Sequence, residues 1–352
     1  MLSYIPRLHP GEIFKSIESR FHSHTLSSSI SKTKRLLFGA RDVNISLHFP
    51  TKLDYFIEQT YGLLQIDIET LLNEFTLWPF YMHFIKKKKH DQIKRVMKEG
   101  KLSGASASIG INGSGFFLTE IPKYCPECNK HNIELYGELF WMRIHQIPNI
   151  IVCPIHNCFL EESVILEGSP YKTPIYTLSN QSCPISIPRR NSNSLLFNIS
   201  KFMVNILNHK IELNFDYRQQ AKSLGYTRNG FIDQVGLSND IASFFSSELL
   251  EFYFPTQGLK SPKFFTKQLI NEGYKILHPT RHILLQYFLK TAKPKPKSRI
   301  PFHDLLEKNH KCRNPICKGF KVNICKSFDL HYEKKRKTSI GYYKCRCGMV
   351  YS

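Results

Sequence analysis

Two long stretches of helical periodicity, ten cysteines gathered into two groups, and a length beyond that of a single core predict a mainly α, multi-domain fold with two small cysteine-rich modules. Single cores stop growing near 250–300 residues, so a chain of 352 divides into two or three domains. Hydrophobic residues at 41% and aromatics at 13% supply the apolar surface such cores need, which argues against disorder throughout. No run of 18 apolar residues occurs, and the opening "MLSYIPRLHPGEIF" lacks the basic-then-apolar layout of a signal peptide. A cytoplasmic chain with no membrane partner is expected.

Residues 1–118 read as an N-terminal helical region. In "GEIFKSIESRFHSHT", Ile13, Ile17 and Phe21 recur at four-residue steps and form one apolar stripe. Ser46 to Pro50 interrupts the pattern, and "KLDYFIEQTYGLLQIDIETLLNEFTL" resumes it. The segment 86–101 carries eight Lys and Arg against two acidic residues and reads as an exposed helix face rather than a strip for phosphates. "SGASASIGINGSGF" (103–116) is a Gly/Ser-rich loop with no lysine in phosphate-loop spacing. A cysteine-rich module at 119–165 follows, then a Pro/Ser/Asn-rich connector at 166–194. Helical periodicity returns at 195–290, for instance in Phe202, Ile206 and Leu207. Residues 291–301, "TAKPKPKSRIP", form a basic linker that alternating prolines keep extended, and 302–352 is the second cysteine-rich module.

Cysteines in a reducing compartment gather for metal rather than for disulfides. The first group is Cys125, Cys128, Cys153, Cys158 and Cys183; the second is Cys312, Cys317, Cys325, Cys345 and Cys347. Zinc takes four ligands in a tetrahedron, and ligands two residues apart suit a tight turn whose donor atoms converge. Cys125-Pro-Glu-Cys128 and Cys153-Pro-Ile-His156 are two such turns, 24 residues apart, and together make a closed Cys₃His site. His145 and Cys158 belong to no such pair and read as bystanders. In the second module Cys312 and Cys317 precede Cys345-Arg-Cys347-Gly, a Cys₄ ribbon or knuckle in which Gly348 supplies a positive φ. Cys325 or His331 could replace one ligand there. About two Zn²⁺ per chain are expected.

Both sites are closed, so neither offers the open position that a zinc hydrolase needs. HExxH, GxSxG and a Walker motif are missing from the sequence, and His83, ahead of Cys125-Pro-Glu-Cys128, has no Glu two residues on to make the zinc-deaminase pattern, so a non-enzyme is expected. The formal charge is +21, and residues 281–352 hold 18 Lys and Arg against 4 Asp and Glu, a net +14. So concentrated a basic block points to nucleic acid. A Cys₄ zinc site carries a net charge of −2, so nearby Lys311, Arg313 and Lys318 compensate it in part. The residues expected on the DNA backbone are Lys293, Lys295, Lys297 and Arg299 in the linker, Lys334, Lys335, Arg336 and Lys337 in "YEKKRK", and Lys344 and Arg346 beside the last cysteines.

These segments together resemble the TniQ/TnsD family of transposon target-selection proteins. "IPRLHPGEIFKSIESRF" is similar to the family's opening, with Pro6, Glu12 and Arg20 in matching places, and "EFTLWPFYMHF" resembles the segment that follows. The stretch 124–160 matches the zinc module, including Tyr136-Gly137-Glu138 and Phe140-Trp141. "YRQQAKSLGYTRNGFIDQVGLSNDIASFFSSELLEF", "HPTRHILLQYFL" and the terminal Cys-x-Cys-Gly-x-x-Tyr resemble TnsD-type members. Two departures accompany the match: those members continue well beyond the second cluster, and "FHDLLEKNHK" replaces a shorter proline-tryptophan approach to it.

The resemblance implies a protein that cuts no DNA, recognises a target, and recruits a TnsC-type AAA+ regulator of the transposase. The partners it implies are double-stranded DNA, that regulator and, where targeting is RNA-guided, a CRISPR effector complex; a homodimer is left open. Association with the bacterial nucleoid would follow. The rivals are a stand-alone zinc-ribbon transcription factor and a pure adaptor whose basic tail touches guide RNA or protein.

Overall fold

In a computed structural model of the chain, the four-residue apolar step at Ile13, Ile17 and Phe21 becomes one buried face of helix α1 (Phe14–His24) and its N-cap. The residues described are 2–41, 43, 45–100, 120–163, 183, 186–228, 231–253, 263–271, 278–295, 312–318, 320, 327–333, 338–345 and 347–351. They fall into two units, Met1–Lys293 and Pro294–Ser352. The expected loop at 103–116, most of the connector, Cys325, Lys297, Arg299, Lys334, Lys335, Arg336, Lys337 and Arg346 lie outside the described residues.

In the first unit α1 packs on α2 (Ile30–Phe38) and α3 (Leu53–Thr60), with Phe14 meeting Phe56 edge-on at 4.9 Å. Ser29 starts α2 by accepting from the Lys32 N–H, which satisfies one of the orphan donors of a helix start. The periodic run at 52–77 is two helices, not one. A turn at Gly62 (φ +85°) ends the first part, and Asp67 restarts α4 (Ile68–Phe75) by accepting from the Thr70 N–H at 2.7 Å. α5 (Trp78–Tyr81) follows, and then α6 (His90–Glu99), which buries Ile93, Val96 and Met97. Its outer side is the solvated face expected from the charge run: Lys94 and Lys98 pair with Glu69 at 2.7 and 3.3 Å, and Arg95 is exposed.

After α7 (Pro126–Tyr136) the helices resume with α8 (Ser194–Leu207), α9 (Tyr217–Ser223), α10 (Gln234–Phe245), α11 (Ser247–Tyr253), α12 (Lys263–Asn271) and α13 (Pro279–Thr291). Two strand pairs are inserted, β1 (Lys123–Tyr124) with β2 (Glu161–Glu162) and β3 (Thr227–Arg228) with β4 (Phe231–Ile232), both antiparallel. Helices on both sides of the cysteine-rich module contribute to one hydrophobic core that runs from Ile5 to Leu289. Helix α13 is buried nearly all round, polar residues included. Its polar side chains find partners inside: Tyr217 Oη lies 2.7 Å from His282 Nδ1, and Asn149 donates to Thr280 Oγ1 at 3.1 Å. Among the described residues no helix is long and apolar enough to cross a membrane.

The described residues of the second unit form strands rather than helices. Strands β5 (Ser327–Glu333), β6 (Thr338–Lys344) and β7 (Val350–Tyr351) form one antiparallel sheet in sequence order, with Phe328 opposite Tyr343 and Tyr343 opposite Tyr351. The mainly α class holds for the first unit, and a small sheet beside the second cysteine group completes the described architecture.

Candidate metal centres

The first cysteine group is assembled by two local turns. Cys125 is the N-cap of α7 and its Sγ accepts from the Cys128 N–H at 3.5 Å, with Pro126 at the first helical position, where a missing N–H costs nothing. In the second turn Cys153 Sγ accepts from the His156 N–H at 3.4 Å, and Asn157 follows at φ +52°. Sγ of Cys125, Cys128 and Cys153 and a ring nitrogen of His156 thereby come within 4.8 Å of one another. Cys128 Sγ is 3.7 Å from Cys153 Sγ, and His156 Nδ1 lies 3.6, 3.2 and 3.9 Å from Cys125, Cys128 and Cys153. A zinc ion with bonds of about 2.3 Å to sulfur and about 2.0 Å to nitrogen has S–S edges of about 3.8 Å and S–N edges of about 3.6 Å. The donor set and its spacing therefore fit a tetrahedral metal.

The two bystanders sit closer than their spacing suggested. His145 Nε2 lies 3.7 Å from Cys128 Sγ and 3.5 Å from Cys153 Sγ, and Cys158 Sγ lies 3.3 Å from Cys125 Sγ. Burial pushes His145 down to about 4, which keeps its ring neutral, with one N–H to give to sulfur. Hydrogen bonds from Cys128, Cys153 and Cys158 draw the Cys125 thiol far below its ordinary range, and those same bonds raise the three donors.

This module is fastened to the N-terminal helices by an ion-pair network that the sequence did not reveal as a unit. Gly137 ends α7 at φ +77°, a conformation that glycine adopts without strain, and turns the chain so that Glu138 meets Arg20 of α1. Arg20, almost fully buried, donates through Nη1 to both Glu12 oxygens at 2.9 and 2.8 Å, and through Nε and Nη2 to Glu138 at 3.0 and 2.5 Å. His9 and His24 reach the same Glu138 carboxylate at 2.9 and 3.0 Å. Burial works against the Glu138 charge, yet the hydrogen bonds from Arg20 and His9 and the Arg20 and His24 charges hold it down to about 2. Burial prevails at Glu12, which is raised in spite of Arg20. Backbone bonds run parallel to this network, from Ile13 N–H to the Trp141 carbonyl at 3.0 Å and from Arg143 N–H to the Gly11 carbonyl at 2.7 Å.

In the second unit Sγ of Cys312, Cys317, Cys345 and Cys347 also lie within 4.8 Å of one another, with Cys312–Cys347 at 3.7 Å and Cys317–Cys345 at 3.9 Å. Gly348 has φ +89° and its N–H donates to the Cys345 carbonyl at 2.9 Å, the knuckle that the sequence suggests. The Met349 backbone N–H, followed by hydrogen bonds from the neighbouring thiols, holds Cys347 down to about 6. His331 is on β5 with its ring against Tyr342, at 5.5 Å between centroids. Of the cations expected on DNA, Lys293, Lys295 and Lys344 are described; Lys344 is exposed at the end of β6.

Comparison with known proteins divides the chain in two. Residues 3–160 match the family described as TniQ, and residues 199–352 match the family described as Tn7-like transposition protein D. The chain is 24% identical over 236 residues to transposon Tn7 transposition protein TnsD of Escherichia coli. The matched region covers 63% of this chain and 46% of that protein, so the chain spans about half the length of the relative.

Proposed function

The chain belongs to the TniQ/TnsD family, and we propose on that premise that it is a target-selection protein for DNA transposition. It holds double-stranded DNA and recruits a TnsC-type AAA+ regulator, which brings in the transposase. It does no bond chemistry itself. The observation that carries this reading is that the two family matches, TniQ over residues 3–160 and Tn7-like transposition protein D over 199–352, stand on one chain.

The labours divide between the units. In the first, the zinc-bound Cys125, Cys128, Cys153 and His156 fix α7, and through Glu138 and Arg20 fix the N-terminal helices as a docking surface for the regulator, and for guide-complex subunits where targeting is RNA-guided. In the second, zinc on Cys312, Cys317, Cys345 and Cys347 shapes a small sheet. Zinc in both sites supplies folding free energy rather than a Lewis acid, because four protein donors leave no position for substrate.

The basic tail neutralises phosphates. Binding should therefore weaken steeply with salt, with a slope that counts the phosphates engaged. A titration of a mixed-sequence duplex at two salt concentrations, with the full chain and with a chain ending at residue 290, tests this. The shortened chain should bind more weakly and with a shallower salt slope. Equal affinity and equal slope would remove the tail from DNA binding.

A further inference from the structure

We propose that the β3–β4 hairpin is a wedge that the protein presses into duplex DNA, with Phe231 against the base stack and Arg228 on the adjoining backbone. This rests on the reading of the chain as a DNA-binding protein and names the element that enters the duplex. Phe231 is 75% exposed, and among the described residues no phenylalanine is more so. It pairs directly across the hairpin with Arg228, also exposed, which places their Cβ atoms about 5 Å apart on one face. Val235, in the first turn of α10, is 59% exposed.

So exposed an aromatic would ordinarily mark a loose loop, but this hairpin is fixed at its base. Tyr226, just before β3, is buried, and its hydroxyl donates to Asp240 of α10 at 2.8 Å. The Tyr226 N–H donates to the Ala221 carbonyl of α9, and its carbonyl accepts from the Asp233 N–H at the start of α10. The two-residue strands are thus held between two helices, and among the described residues Phe231 stands largely uncovered.

Charge selects the occupant. The acidic residues of 214–245 are Asp216, Asp233 and Asp240, and each is spent locally. Asp216 accepts from the Gln219 N–H at 2.9 Å, Asp233 from the Gly236 N–H at 2.9 Å, and Asp240 from Tyr226. The basic residues Arg218 and Lys222, four apart on α9, and Arg228 are all exposed. An exposed aromatic side chain with cations nearby in the same segment suits a polyanion whose interior is a stack of aromatic faces. Apolar side chains inserted between base steps unstack and kink duplexes, and cations beside them take the phosphates.

Full-length protein on relaxed closed plasmid with a type I topoisomerase reads the wedge directly, because insertion unwinds the duplex and changes the linking number. Wild type should shift the topoisomer distribution. Phe231→Ala should abolish the shift and weaken binding to a mixed-sequence duplex about tenfold, while Phe231→Trp keeps both. Arg228→Ala should lower the salt slope by about one. Both side chains are exposed, so thermal unfolding of the variants should match wild type. If Phe231→Ala binds duplex and unwinds plasmid as wild type does, the wedge is refuted and the DNA-binding reading survives. If wild type itself binds no duplex, both fall. If Phe231→Ala loses only its grip on the AAA+ regulator, the tip is a protein-docking surface and the proposal is overturned.

Discussion

Arg20 and Glu138 join the N-terminal helix to the first cysteine-rich module through one guanidinium. Removing the guanidinium leaves Glu12 fully buried with no counter-ion, so Arg20→Ala should lower stability by about 3–5 kcal/mol, read as a shift in denaturant midpoint. Arg20→Lys should recover only part of this, because an ammonium cannot serve two carboxylates in a planar fork. The pH dependence of Glu138 has a definite sign. Its pKa is lower folded than unfolded, so its contribution is present above its ordinary value near 4.5 and is lost as pH falls towards about 2. Glu138→Gln should therefore be less stable than wild type at pH 7, with the difference shrinking between about pH 4.5 and 2; a constant difference would contradict the assignment. The sequence placed Glu12, Arg20 and Glu138 in family-like positions without connecting them, since 118 residues separate Arg20 from Glu138 and no local rule spans that gap. His145 and Cys158 were set aside for the same reason: spacing detects ligands that share a turn, and these two reach the sulfurs through tertiary packing.

At the scale of elements, periodicity and turn chemistry found most helices of the first unit, and their caps explain the boundaries. The run at 52–77 divided because Gly62 takes a positive φ and Asp67 offers a new N-cap, signals weaker than the apolar repeat that spans them. Helix α13 was legible as a helix but not as a core helix, since "HPTRH" is a polar string that only buried partners can accommodate. His278 caps α13 by accepting from the Thr280 N–H, and burial, assisted by the His48, Arg281 and His282 charges, pushes it down to about 3. A histidine kept neutral in the fold stabilises fully above its ordinary value near 6.5, and the contribution is lost as pH falls towards 3. His278→Asn retains a capping oxygen, so thermal unfolding of that variant should change less between pH 7 and pH 5 than wild type does. The metal turn that starts α7 has a sharper test. Cys128→Ser should unfold or aggregate the first unit and release about one zinc per chain, measured by metal analysis of the purified protein; recovery of a folded, zinc-free first unit would contradict a structural site.

For the whole molecule, charge and cysteine grouping in the sequence pointed to the nature of the partner, while the shared core did not show in it. Residues before and after the first cysteine-rich module bury side chains in one core from Ile5 to Leu289, and contacts such as Phe84 against His282 of α13, 5.8 Å between centroids, span too much chain for any sequence pattern to join them. The division at Lys293–Pro294 falls where the basic, proline-rich stretch begins, a composition that cannot bury a core of its own. The proposed selection of a target requires that one chain hold DNA and an AAA+ regulator at once. Target duplex on beads, incubated with the regulator in the presence and absence of this chain, measures that requirement directly. The regulator should be retained on the beads many-fold more with the chain than without it, and Arg20→Ala, which loosens the N-terminal helices, should reduce the retention. Equal retention with and without the chain would contradict target selection by recruitment.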